Sequence, residues 1–212
     1  MAEAHRASSF DDRATTWDVP EKIERAERVA EAILSRIEVT RSTRVIELGA
    51  GTGLLGLALA DRVPGGPAEL VLADASSGML AVAADKIRDR RLRFARTAAF
   101  ELGLDPPPAG SPFDLAISLL MLHHVESTGI ALAAVRSVLR AGGRIALADL
   151  DAEDGSFHGP SAEGIHHHGF ERPALIAAAA AAGFADASVA TATELERDGR
   201  RYPVFLLTAV AS

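Results

Sequence analysis

Two groups of residues in this 212-residue chain have the type and spacing to do chemistry. The first is the run Glu47-Leu48-Gly49-Ala50-Gly51-Thr52-Gly53, with Asp74 about twenty residues beyond the last loop glycine. Glycines let the backbone turn tightly and approach a ligand, and the helix that follows exposes unpaired amides. An acid at the end of the next strand can accept hydrogen bonds from both hydroxyls of a ribose. Together these parts describe a nucleoside site. The second group is Asp149, Asp151, Glu153, Asp154, His158 and His166-His167-His168; apart from both, the pair His123-His124 follows the fourth expected strand, where one of them could act as a base. Neutral imidazole beside carboxylates suits proton transfer, substrate contact or metal binding. Three consecutive histidines cannot all face one ion in a regular conformation, so no metal site is expected, and a solvated loop is the plain alternative.

Which nucleoside the glycines serve is ambiguous at first. Gly51-Thr52-Gly53-Leu54-Leu55-Gly56 matches GxGxxG, so an NAD-dependent oxidoreductase is one reading. If the register starts instead at Gly49, the third glycine position falls on Leu54. The preceding Glu47 would repel a pyrophosphate and suits a cationic amino group.

The surrounding pattern supplies the scaffold. Residues 1–19 form a polar lead-in carrying Phe10 and Trp17, and apolar residues at helical spacing predict a helix from Pro20 to about Glu38. Strands are expected at Thr43–Leu48, Leu70–Asp74, Leu92–Ala95, Phe113–Ser118 and Arg144–Leu150, and helices at Leu54–Val63, Met79–Arg90, Ile130–Leu139 and Glu171–Ala182. Gly142-Gly143 should terminate the third of these helices. Pro106-Pro107-Pro108 makes 102–112 a loop, and 151–169 is a long polar loop on the substrate side. Ala187–Leu195 and Tyr202–Val210, joined by Asp198-Gly199, read as a hairpin. The fold class is therefore α/β: a Rossmann-like, doubly wound, seven-stranded sheet, mostly parallel, with one antiparallel strand from the C-terminal hairpin. One domain over 1–212 is expected, with 1–38 covering the ligand.

Composition narrows the partners. A formal charge of −7 is unsuited to a phosphate backbone, so no nucleic-acid partner is expected. There is no cysteine, hence no thiolate nucleophile and no Cys-based zinc site. Met1–Arg6 lacks the pattern of a secretory signal, and the longest apolar run, Ala174 to Ala182, is far short of a membrane span. A cytoplasmic protein without membrane partners is expected, its oligomeric state undetermined.

Four ordered motifs carry a family resemblance. Val45–Gly53 resembles the first motif of class I S-adenosylmethionine-dependent methyltransferases, where the acid lies near the methionyl amino end of the cofactor. Leu72-Ala73-Asp74-Ala75-Ser76-Ser77-Gly78-Met79-Leu80 is similar to the second, with the acid on the ribose and the methionine against the adenine. Phe113–Ser118 with His123-His124-Val125 resembles the fourth, and Leu139–Arg144 the turn into the fifth strand. The stretch Phe10-Asp11-Asp12-Arg13-Ala14-Thr15-Thr16-Trp17-Asp18 resembles an FDxxAxxYD-like segment that folds over the cofactor in the small-molecule, UbiE-like branch. The resemblance implies S-adenosyl-L-methionine as cofactor and a small-molecule acceptor. It places Trp17, Glu47, Gly49, Ala50, Gly51, Gly53, Asp74, Ala75, Met79, Ala98, Ala99 and Ser118 around the cofactor. His123, His124, His158 and His167 are the candidates for catalysis. The acid that many relatives carry after the third strand is missing, because the segment reads Arg96-Thr97-Ala98-Ala99-Phe100-Glu101. The alternatives are the NAD-dependent oxidoreductase and a non-catalytic cofactor-binding protein of the same fold.

Overall fold

The computed structural model describes residues 10–159 and 164–212. Met1–Arg6, read above for a signal, lies outside the described residues, as does the part of the polar loop at 160–163.

Seven strands form one sheet in the order β3-β2-β1-β4-β5-β7-β6. They are β1 (Arg44–Leu48), β2 (Glu69–Asp74), β3 (Ala95–Ala99), β4 (Phe113–Leu119), β5 (Leu139–Leu150), β6 (Phe184–Arg197) and β7 (Arg200–Ala211). The helices are α1 (Pro20–Leu34), α2 (Leu54–Asp61), α3 (Ser77–Asp89), α4 (Thr128–Ser137) and α5 (Arg172–Ala181). β1 to β5 pair in parallel, whereas β7 runs antiparallel to both neighbours. The chain order turns back between β1 and β4, the switch point at which such sheets open a crevice for ligands.

Strand alternation explains the two cores. On β1 and β2, Val45, Leu70 and Leu72 face one way and pack under α1, α2 and Ala83 of α3. Ile46, Val71 and Ala73 face the other way, toward Leu132 and Val135 of α4 and Leu175 of α5. Both faces are apolar because both are covered, as a parallel sheet requires.

Several boundaries depart from the sequence reading for local reasons. α1 stops at Leu34, where the Ser35 hydroxyl and Arg36 guanidinium both turn back to the Ala32 carbonyl; Ile37 is still buried through a turn. β3 begins at Ala95 and not at Leu92; Leu92 and Phe94 pack their side chains on the first core, and the Phe94 carbonyl accepts the Leu70 amide at 2.9 Å just ahead of the strand. The weakly apolar Ala-Arg-Thr-Ala-Ala then pairs through its backbone along β2. Gly142-Gly143 lies within β5, where the register skips from the Phe113–Leu139 pair to the Leu115–Arg144 pair and the intervening residues bulge out. The hairpin turn is as expected, with Asp198 and Gly199 both at positive φ (52° and 73°). Among the described residues, no helix is long and apolar enough to cross a membrane.

Candidate active site

A cavity of about 790 Å³ opens at the carboxyl ends of β1 to β4. Its floor is the glycine loop. Gly49, Gly51 and Gly53 have φ of +63°, +53° and +80°, a region that costs other residues strain. The loop is tied to β2 through the Ala50 amide on the Ala73 carbonyl at 3.0 Å. At Gly51 an added Cβ would project to within 3.9 Å of both the Met79 sulfur and the Trp17 indole nitrogen, filling the space between them.

Asp74 sits beside that space. Its Oδ2 accepts the Gly51 amide at 2.7 Å and its Oδ1 the Ser76 amide at 2.8 Å. Each oxygen of a carboxylate has a second acceptor position, so Asp74 can still take two hydroxyl donors. Burial pushes its carboxyl above the ordinary range, opposed by the Ser76 and Gly51 amides.

Glu47, 2% exposed, has a different task. Its Oε2 accepts the Gly56 amide at 2.8 Å, and Gly56 is the third residue of α2. A carboxyl group therefore already holds one of the helix N-terminal amides on which a pyrophosphate would rest. A Cβ on Gly56 would lie 2.6 Å from that oxygen, which accounts for the last glycine of the GxGxxG match without a dinucleotide. Burial raises the Glu47 carboxyl to about 8, so an approaching ammonium would favour its ionised form. The donor set thus suits a cationic amino acid joined to a nucleoside.

The lead-in segment closes the cavity from above. The Gly78 amide, in the first turn of α3, donates to Asp11 Oδ1 at 2.7 Å. The Thr52 hydroxyl donates to Asp18 Oδ1 at 2.5 Å, and Lys86 bonds both Asp18 and, at 2.8 Å, the Thr52 carbonyl. Two aspartates seven residues apart thereby pin the segment to α3 and to the glycine loop. Phe10, next to Asp11, and Trp17, next to Asp18, are in edge contact at 5.7 Å and face the cavity.

Of the expected cofactor residues, Trp17, Glu47, Gly49, Ala50, Gly51, Asp74, Ala75 and Met79 line the cavity. Gly53, Ala98, Ala99 and Ser118 are not among its lining. Gly53 is the N-cap of α2 and its Cα faces Leu72. Ala98 and Ala99 pair with Ala73 and Asp74, and the lining begins one residue later at Phe100, Glu101 and Leu102. Ser118 is buried with its hydroxyl unpartnered among the described residues, while Leu119, Leu120 and Met121 reach the cavity. Phe100, Met121, Lys22 and Arg25 were missed by sequence reasoning. The three-residue spacing of the two cations on one helix face was the available signal.

The histidines divide. His124 lines the cavity, edge-on to Phe10 at 5.5 Å, with Nδ1 3.0 Å from the Gly164 carbonyl. Burial depresses it to about 4. His123, His158 and His167 are not among the lining. His123 is buried, its Nδ1 2.8 Å from Asp149 Oδ1, and its carbonyl accepts the amides of His166 and His167. His158 lies against the His123 ring at 4.8 Å and is also lowered to about 4, chiefly by burial. His167 rests on Phe170 at 5.1 Å. The loop acids are engaged elsewhere: Asp151 pairs with Arg172 at 2.6 and 2.7 Å, and Asp154 with Arg200 at 3.1 Å. Among the described residues no group of three or more His, Cys, Asp or Glu could hold a metal ion.

A family model described as a methyltransferase domain matches residues 46–145. The chain is similar to the ubiquinone/menaquinone biosynthesis C-methyltransferase UbiE of Idiomarina loihiensis, at 35% identity over 50% of this chain and 42% of the relative. It is 32% identical to the malonyl-[acyl-carrier protein] O-methyltransferase of Geobacter sulfurreducens, over 80% of this chain and 66% of the relative. It thus spans from about two fifths to just under two thirds of these relatives' length. Among solved structures, Haemonchus contortus phosphoethanolamine N-methyltransferase 2 in complex with S-adenosyl-L-methionine superposes with a TM-score of 0.67 at 16% identity. The superposition covers 86% of this chain and 52% of that one and establishes the shared fold.

Proposed function

We propose that the chain is a class I S-adenosylmethionine-dependent methyltransferase, which its similarity to methyltransferases supports, and that it binds S-adenosyl-L-methionine over the glycine loop and methylates a small molecule. The observation that carries this reading is the division of labour between the two acids. Glu47 takes an N-terminal amide of α2, leaving a phosphate less to bind, while Asp74 keeps acceptor positions for two ribose hydroxyls. That arrangement favours a nucleoside bearing an ammonium over a dinucleotide.

The bound cofactor would supply an activated methyl group to a nucleophile attacking in line. The chain's contribution is position and exclusion of water, which can lower such a barrier substantially. Asp74 orients the ribose, Glu47 the amino end, and Met79 and Phe100 the base. Phe10 and Trp17 cover the reacting centre, held by Asp11 and Asp18. His124 is the candidate histidine placed to meet the acceptor. Its Nδ1 faces a carbonyl, which makes Nδ1 the protonated nitrogen and Nε2 the acceptor. With a pKa near 4 it is a weak base, suited to orienting a hydroxyl or amine by a hydrogen bond. The negative chain argues for a small metabolite over nucleic acid as the acceptor.

Isothermal titration calorimetry tests the reading. S-adenosylhomocysteine should bind with a Kd on the order of micromolar, and NAD should give no heat above dilution. Tight NAD binding with silent S-adenosylhomocysteine would replace it with the oxidoreductase.

A further inference from the structure

The wall of the cavity formed by α1 is cationic beyond what the cofactor needs. Lys22 and Arg25, one helical turn apart, both line it, and burial first, then the Arg25 charge, lowers Lys22. The Lys22 ammonium lies 3.1 Å from the centre of the Trp17 ring, and Arg25 Nε is buried without a hydrogen-bond partner among the described residues. A buried, unanswered guanidinium N–H is costly and calls for an acceptor from outside the chain. The cofactor brings one carboxylate, enough for one of the two cations.

The rim beside them is apolar. Leu104 and Ile130, each 61% exposed, line the same cavity, and Val19 and Ile23, each 39% exposed, flank Lys22. These are four of the five large hydrophobic residues most exposed among those described. Glu101 and Glu126 also line the cavity, from the loops after β3 and β4, and would turn an anion away from that side.

Building on the methyl-transfer reading, we propose that the acceptor is an amphipathic carboxylate, its anionic group held by Arg25 and Lys22 and its apolar body lying against Leu104 and Ile130. A guanidinium offering Nε and a neighbouring Nη matches the two oxygens of a planar carboxylate.

Trp17, the only tryptophan, gives a fluorescence signal at this wall. With the protein saturated with S-adenosylhomocysteine, octanoate should bind at least tenfold more tightly than octan-1-ol or octylamine. Arg25→Gln should weaken octanoate about tenfold or more and leave S-adenosylhomocysteine within threefold. Lys22→Gln should act in the same direction, and Arg25→Lys, which keeps the charge, should lose less. The two milder variants decide the matter if Arg25→Gln does not fold. Equal binding of octanol, or binding of octyl phosphate but not octanoate, would overturn the proposal. So would substitutions that weaken S-adenosylhomocysteine and spare octanoate, since both cations would then serve the cofactor's carboxylate. Failure of the wild-type protein to bind S-adenosylhomocysteine would instead overturn the methyltransferase reading beneath it.

Discussion

Two polar clusters sit at the carboxyl edge of the sheet, and they satisfy their charges by different means. At the glycine loop, acids are answered by backbone amides: Gly51 and Ser76 on Asp74, Gly56 on Glu47. Between β4 and the loop after β5, side chains join in: Asp149 meets the His123 ring as well as the His123 and Leu150 amides, and Asp151 pairs with both arms of Arg172. An amide supplies one bond and leaves the acid able to take more, so the first cluster stays open toward the cavity. Asp149, with three donors, and Asp151, in a two-armed pair, are already engaged, so the second cluster is closed. Burial holds a proton on Glu47 up to about pH 8 and keeps protons off His124 and His158 down to about 4.

The largest separation of the two should come from removing the open acid. Asp74→Ala deletes acceptors for two ribose hydroxyls, so S-adenosylhomocysteine affinity by calorimetry should fall on the order of a hundredfold or more. Loss within threefold would place the nucleoside elsewhere. Asp149→Ala should do the reverse. It leaves the His123 ring, the His123 amide and the Leu150 amide without their acceptor. A stability loss of about 3 kcal/mol, roughly 6–12 °C in Tm, is expected by thermal denaturation, with cofactor affinity little changed. If affinity falls with stability, the clusters are not separate.

The pH dependence of stability should carry opposite signs. The folded Glu47 binds its proton more tightly than the unfolded one, so its contribution is full below about 4.5 and lost as pH rises toward 8. For His124 and His158, neutral when folded, the contribution is full above about 6.5 and lost as pH falls toward 4. Urea titrations across this range should show Glu47→Gln flattening the alkaline side alone. Flattening of the acid side would reverse the assignment. The smallest effect should come from the lid: Asp18→Ala releases Thr52 and Lys86, and S-adenosylhomocysteine should bind several-fold more weakly through faster dissociation in stopped flow.

The open cluster was largely legible in the sequence because it is local. Glu47, the glycines and Asp74 fall within one strand-helix-strand unit, where spacing dictates geometry. The sheet was legible for the same reason, except where pairing comes from backbone alone, as in β3, or where a bulge hides a strand, as at Gly142-Gly143. The closed cluster was not legible. His123 and Asp149 are 26 residues apart and meet only because β4 and β5 are neighbours. Nothing in the run of histidines tells that His167 turns to Phe170 while His124 turns to the cavity. Lys22 and Arg25 were hidden in the same way, since a basic residue on an amphipathic helix reads as solvated until the helix has a partner.

A crystal structure with S-adenosylhomocysteine tests the central claim most directly. The account requires both ribose hydroxyls within hydrogen-bond distance of Asp74, the amino end toward Glu47, and His123, His158 and His167 away from the sulfur. A ligand with its ribose elsewhere, or its sulfur ringed by those three histidines, would contradict it.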